Sequence, residues 1–567
     1  MKLALSFLFA LAMLCAPVRA EVFRVDLAPG VRQSTPDGRI LLVLSKTPNT
    51  EPRFEVERGL DSAQVFGIDA DEKRQATIFS NDIVGYPLES MRDVPAGTYW
   101  VQAVLHKYDT FHLSNGKTVK LPAARGAGQN WRKEPGNIIS KPIQVSFDPQ
   151  RSGEIRLLLD TVLPPIAEPK DDKFIRHFKF RSPSLSKFWG RDMFITGHVL
   201  VPKDFDKHPE ARYPLIVNHG HYAATFGGFR VTPPDPDVPC VYSARFRMDC
   251  YNRIEDKEAY DFYQKWVSPD FPRMLIVQLD HSNPYFDDSY AVNSANLGPY
   301  GDTIMREFIP ALEKKFRGIG QGWARFTYGG STGGWEALAV QVFYPDEFNG
   351  AFASCPDSID FRQTKVINIY HDPNAFWRSG PFGRVPIMIN QDYRGHVGWT
   401  AEMENRYERV IGDKSRSGGQ WDIWEAVYSP MADDGYPMRI WDKTTGVIDK
   451  QVAAYWREHY DLRYIMERDW KTLGPKLRGK IHLYVGDMDS FHHNNADYLT
   501  EEFLKRADPP ADAEVAYGDR AEHCWNGDPA LPNGITRLRY NTMYVPKILK
   551  RIEQTAPKGA DLTSWRY

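Results

Sequence analysis

The sequence predicts an α/β protein: a mostly parallel sheet covered by helices, preceded by an all-β, sandwich-like domain and interrupted by a large Trp-rich insertion. Three observations predict it. Short apolar or alternating runs punctuated by Gly and Pro recur from about residue 21 to 165. From about 174, continuous apolar strands alternate with runs of helical spacing, the pattern of a parallel sheet with both faces covered. Between about 360 and 480 that rhythm stops, and this fifth of the chain holds seven of the fifteen tryptophans.

Taken in order, residues 1–20 read as an export signal: Lys2, an apolar stretch from Leu3 to Leu14, and Val18-Arg19-Ala20 before Glu21. Twelve apolar residues are too few to span a bilayer. The β-domain, 21–165, contains the runs Arg39–Leu44, Thr98–Leu105, Ile143–Phe147 and Glu154–Leu159, whose spacing suggests a sandwich. Pro164-Pro165 and Pro169–Lys173 mark a linker. The α/β domain, 174–360 and 478–555, offers strands at Tyr213–Val217, Met274–Leu279, Arg325–Tyr328, Gly350–Ala353, Ile481–Val485 and Ala513–Tyr517, with a helix over Arg306–Phe316. The insertion needs its own core, which accounts for most of its indoles; one or two are expected in the site. Because it lies between two strands that end at the site, 360–480 is expected to form a lid or wall over it.

Lys+Arg number 71 and Asp+Glu 73, a net charge of −2. Loss of residues 1–20 leaves 69 against 73, or −4. No basic excess exists to hold a phosphate backbone, which argues against a nucleic-acid binder. No run of 18 apolar residues interrupts the body of the chain, so no membrane span is expected.

The chemistry centres on Gly329-Gly330-Ser331-Thr332-Gly333-Gly334, a G-x-S-x-G between a buried strand and a helical run. Such a turn strains the serine backbone and thrusts its oxygen out at the carboxyl end of the sheet, as in the α/β-hydrolase fold. Ser331 is the candidate nucleophile. A serine hydroxyl needs a base. In this fold the order is serine, acid, histidine, and His523 follows the last strand candidate, in Glu522-His523-Cys524. The acid is expected after Ile481–Val485, at Asp489, with Asp487 as the alternative; it orients the imidazole and stabilises its charged form. Asp487, Asp489 and the neighbouring His492-His493 also permit a metal reading, but hydrolysis by this set needs no metal. For the oxyanion, one donor is the Thr332 N–H. The other is expected from the loop Asn218-His219-Gly220-His221-Tyr222, at the N–H of His221 or Tyr222.

These residues, together with Asp192–Lys207, Tyr213–Val217, Asn296–Asp302 and Glu307–Pro310, resemble the esterase family of α/β-hydrolases that includes esterase D-like, enterochelin esterase-like and feruloyl esterase-like members. The resemblance covers about 175–360 and resumes at about 478–550. It implies a serine carboxylesterase with Ser331, Asp489 and His523; the 360–480 insertion and the β-domain lie outside it. The expected activity is hydrolysis of a small-molecule or carbohydrate-linked ester through an acyl-enzyme, in the periplasm or outside the cell, without a cofactor. The alternatives are a peptidase of prolyl oligopeptidase type, and a binding protein on a hydrolase scaffold. Export makes Cys240, Cys250, Cys355 and Cys524 candidates for disulfides, with three possible pairings. The local pair Cys240–Cys250 leaves Cys355–Cys524.

Overall fold

The computed structural model describes residues 21–567 except 32–36, 48, 71–75, 81–82, 128–129, 222–225, 227–228, 244–247 and 530–538. The expected export segment, 1–20, lies outside the described residues. No described helix is long and apolar enough to cross a membrane.

The described residues of 22–162 contribute a nine-stranded sheet. Its centre is the antiparallel pair Gly38–Ser45 and Gly97–Lys107, in register from Gly38 opposite Lys107 to Ser45 opposite Trp100. Strands from both ends of the sheet reach one core, where Phe23, Phe66, Phe147 and Leu157 meet Ile40, Leu42 and Leu44. The expected sandwich is thus one continuous hydrogen-bonded sheet bent around its core, because Gly97–Lys107 is long enough to pair with three neighbours. Every residue of Gly38–Ser45 is buried, so the side chains that alternate away from that core must be covered too. Leu41 and Val43 pack with Val65, Val104 and three residues of the insertion, Tyr407, Val410 and Ile411.

The second sheet has eight strands: β1 (Ile175–Ser182), β2 (Met193–Leu200), β3 (Leu215–His219), β4 (Leu275–Asp280), β5 (Arg325–Gly330), β6 (Ala351–Ser354), β7 (Ile481–Gly486) and β8 (Glu514–Gly518). Their order is 1-2-4-3-5-6-7-8. Only β2 runs against the rest. That order, with a glycine-rich turn after β5, is the α/β-hydrolase arrangement. β3 and β5 are wholly buried, as strands covered on both faces must be. β1 alternates charged and aromatic residues, so it carries no continuous apolar run; the sequence reading passed over it and β2. The expected helix at 306–316 is Ile309–Phe316, entered through a π-helical turn at Thr303–Phe308.

β5 leads into helix α1 (Thr332–Phe343). The insertion begins with two hairpins, Trp377–Gly380 with Gly383–Pro386 and Met388–Gln391 with Val397–Thr400. Helices α2 (Ala401–Ile411), α3 (Gln420–Tyr428), α4 (Lys450–Tyr460) and α5 (Leu462–Leu477) follow. α5 packs on α1, so it is the crossover helix that returns the chain to β7, and the insertion proper ends near 461. Of the seven tryptophans, Trp421, Trp424, Trp441, Trp456 and Trp470 are buried, and Trp377 and Trp399 are half-buried.

Thr400 caps α2, its side chain accepting from the Met403 N–H at 3.2 Å. At the other end Arg39 of the first sheet donates to the carbonyls of Val410 (3.0 Å) and Arg409 (2.9 Å), satisfying acceptors that a helix C-terminus leaves open. The approach is so close that a Cβ on Gly67 would lie 1.9 Å from the Val410 carbonyl oxygen. A side chain there would push α2 off the sheet.

Candidate active site

The turn between β5 and α1 places Ser331 at φ 58° and ψ −124°, strain that persists only where the surroundings fix it. The glycines explain how. A Cβ on Gly329 would meet the Gly333 carbonyl oxygen at 2.2 Å, and one on Gly333 would meet that of His219 at 2.3 Å. The turn therefore closes tightly and also brings the end of β3 against the first turn of α1.

Three strand ends converge on Ser331. Its Oγ lies 2.9 Å from Nε2 of His523, and Nδ1 of His523 lies 2.8 Å from Oδ2 of Asp489. Asp489 follows β7 in a turn closed by its own N–H to the Gly486 carbonyl (3.2 Å), and its Oδ1 accepts from the Phe491 N–H at 2.9 Å. Asp487 does something else: its Oδ1 accepts from the backbone N–H of Arg520 at 2.6 Å, tying the β7 loop to the loop that carries His523. Thr332 opens α1, where its N–H has no intrahelical acceptor. His221 is held by Asp288, Nδ1 to Oδ2 at 2.7 Å. Tyr222 lies outside the described residues.

Burial disfavours charge on both Asp489 and His523, but their attraction outweighs it. Asp489 is held down to about 2, and His523, facing Asp489 and the Cys524 sulfur, is pushed up to about 10. The imidazole must be neutral to take the serine proton, so the acid limb of kcat/KM is expected in the alkaline range. In Asp489→Asn it should move down toward the ordinary value of 6.5; a pH–rate profile of both proteins checks this. Stability follows the same pair. The His523 contribution is whole below 6.5 and fades as pH rises through about 10. That of Asp489 is whole above 3.8 and is lost as pH falls through about 2.

Sequence reasoning missed a second carboxylate. Oδ1 of Asp357 lies 3.3 Å from Ser331 Oγ. Its Oδ2 accepts from Tyr290 Oη (2.7 Å) and Thr332 Oγ1 (3.0 Å). The signal was present: Asp357 stands three residues past the end of β6, just as Asp489 stands three past the end of β7. The insertion reaches this group through α3, where Gln420 Nε2 and Trp424 Nε1 donate to Tyr290 Oη at 2.7 and 2.8 Å. It touches the other loops as well. Gln391 N–H donates to the Ser490 carbonyl (2.9 Å), Tyr393 N–H donates to Glu522 (3.0 Å), and the Trp399 ring meets Phe491, which stands edge-on to His523.

No family model and no curated protein matches the chain. Among solved structures, a ferulic acid esterase is 14% identical, covering 68% of this chain and all of its own, at a TM-score of 0.35. An S-formylglutathione hydrolase from Agrobacterium tumefaciens is 14% identical over 66% of this chain and 94% of its own, at 0.31. The substrate-bound fluorophosphonate-binding serine hydrolase F of Staphylococcus aureus is 13% identical over 67% and 98%, at 0.33. The α/β-hydrolase reading rests on the strand order and on where β5, β7 and β8 deliver their side chains.

Cys240 and Cys250 form a disulfide. Cys355 and Cys524 are not disulfide-bonded. Their sulfurs lie within 4.8 Å of each other and of a His523 nitrogen. Peptide mapping of the active protein without reductant is expected to recover Cys240 linked to Cys250 and both Cys355 and Cys524 as reduced thiols; a linked Cys355–Cys524 peptide would overturn this.

Among the described residues, four groups bring metal-ligating atoms together. In His219, His281 and Glu336, all buried, His281 Nδ1 accepts from the Ser289 N–H at 3.0 Å. That leaves the ring proton on Nε2, the atom facing Glu336, where a metal needs a lone pair. Two others, Asp489–His493–His523 and Cys355–His523–Cys524, include His523, whose Nε2 already faces Ser331. His221, Asp287 and Asp288 are joined by the His221–Asp288 bond already described.

Proposed function

We propose that the protein is a serine carboxylesterase. The observation that carries this reading is the unbroken contact from Ser331 Oγ through His523 to Asp489, at 2.9 and 2.8 Å, on an elbow of strained backbone. In this mechanism Ser331 Oγ attacks the ester carbonyl while His523 Nε2 takes its proton. Asp489 holds the ring and stabilises the imidazolium. The Thr332 N–H and one from the loop after β3 receive the oxyanion. The imidazolium then protonates the leaving alcohol, and an acyl-enzyme remains. Neutral His523 next draws a proton from water, whose oxygen attacks the acyl carbon, and Ser331 leaves with the proton returned.

The insertion walls the nucleophile in this reading, supported by its contacts with Tyr290, Ser490 and Glu522. Export is part of the proposal, and the Cys240–Cys250 disulfide favours it. The prolyl oligopeptidase alternative calls for a propeller of repeated blades; the N-terminal domain is a single nine-stranded sheet. The test is a fluorophosphonate probe followed by peptide mapping, run beside a panel of aryl, acetyl, feruloyl-sugar and siderophore esters. Covalent label on Ser331 and turnover of at least one ester are expected. A folded protein that neither reacts with the probe nor cleaves any ester would refute the reading.

A further inference from the structure

Resting on the esterase reading, we infer that Asp357 anchors a cation subsite in the catalytic centre, and that the substrate is an ester whose acyl group carries an ammonium beside the scissile carbonyl, as an α-aminoacyl ester does. Asp357 is buried, 3% exposed, while Ser331 and Gln420 beside it stay partly open. Its neighbours are hydroxyls: Ser331, Thr332 and Tyr290. The one basic side chain within 4 Å of it, among the described residues, is His493, whose Nε2 stands 3.5 Å from Oδ1. Burial pulls that imidazole down to about 4, so at neutral pH it brings no charge. The buried Lys365 is committed to Glu404 at 3.3 Å.

A carboxylate 3.3 Å from the attacking oxygen is a liability with an uncharged substrate. Attack on the carbonyl creates an oxyanion one bond from the carbon that Oγ has joined, and two like charges at close range in a water-poor site raise the barrier. A substrate that carries its own positive charge removes the conflict. In the acyl-enzyme an α-ammonium is three bonds from Oγ. That places it within hydrogen-bond reach of a carboxylate oxygen lying 3.3 Å from the same Oγ. It is also the part of the substrate that stays in place whichever alcohol leaves. Gln420, reaching Tyr290 from α3, lets the insertion take part in the choice of substrate.

The test compares alanine methyl ester with N-acetylalanine methyl ester on the wild-type enzyme, at a pH that keeps the free amine charged, with p-nitrophenyl acetate as the esterase control. The expected result is kcat/KM at least about tenfold higher for the free amine, the effect of one charge-assisted contact. In Asp357→Asn the ratio should fall toward one. Equal or better cleavage of the acetylated ester by wild type overturns the inference and needs no variant to fold. A variant that keeps the wild-type ratio overturns it as well. The two readings fail differently: cleavage of p-nitrophenyl acetate without discrimination defeats the subsite alone, whereas no turnover of any ester and no phosphonylation of Ser331 defeats the esterase and this inference with it.

Discussion

Ser331→Ala is expected to lower kcat by ~10⁴–10⁶, with the fold intact, since losing a triad member leaves only binding and the oxyanion donors. The substitution removes one oxygen from a half-buried side chain. The strain at φ 58° is held by the backbone, with the Ser331 N–H bonded to the Ser354 carbonyl at 3.0 Å. Unfolding curves of the two proteins should therefore nearly coincide while turnover separates them. Near-normal hydrolysis by purified, folded Ser331→Ala would end the proposed mechanism.

The second large effect divides two neighbouring carboxylates. Asp489→Asn should reduce kcat by ~10⁴, because an amide in that place holds the imidazole in the wrong tautomer. Asp487→Asn should cost far less. Its contact is with a backbone N–H of the His523 loop, and the amide oxygen of asparagine can accept the same bond. Steady-state kinetics on the two variants side by side decides it. A collapse confined to Asp487→Asn would reverse the assignment.

How much of this was legible in the sequence depends on the kind of signal each residue gives. Ser331 was legible because glycines announce a turn that only they permit: the 2.2 and 2.3 Å approaches around Gly329 and Gly333 leave no room for a side chain. Asp489 and His523 were legible from strand order, since buried apolar strands mark the ends at which a site is built. Asp357 carried the same positional mark but no expected role. Tyr290 and Gln420 carried none, because contacts that join residues 130 apart leave no local pattern. The arrangement of the first sheet failed for a related reason: alternation tells which residues face inward, not whether strands close into one sheet or two. The cysteines divided likewise. Ten residues of separation foretold the Cys240–Cys250 bond, whereas Cys355 and Cys524 meet as thiols whose state depends on the redox surroundings.

The seam between the first sheet and α2 has a consequence in time. Leu41, Val43, Val65 and Val104 are in place once the first 162 residues have been made, but their cover, Tyr407, Val410 and Ile411, is encoded far downstream. At a synthesis rate of ~5–20 residues per second, the delay is on the order of ten seconds to a minute. Until then Leu41 and Val43 are covered only by residues of their own domain, Val56, Tyr86, Trp131 and Ile139, and Arg39 lacks the carbonyls it will later bind. The N-terminal domain is thus the first part to be made and among the last to be completed.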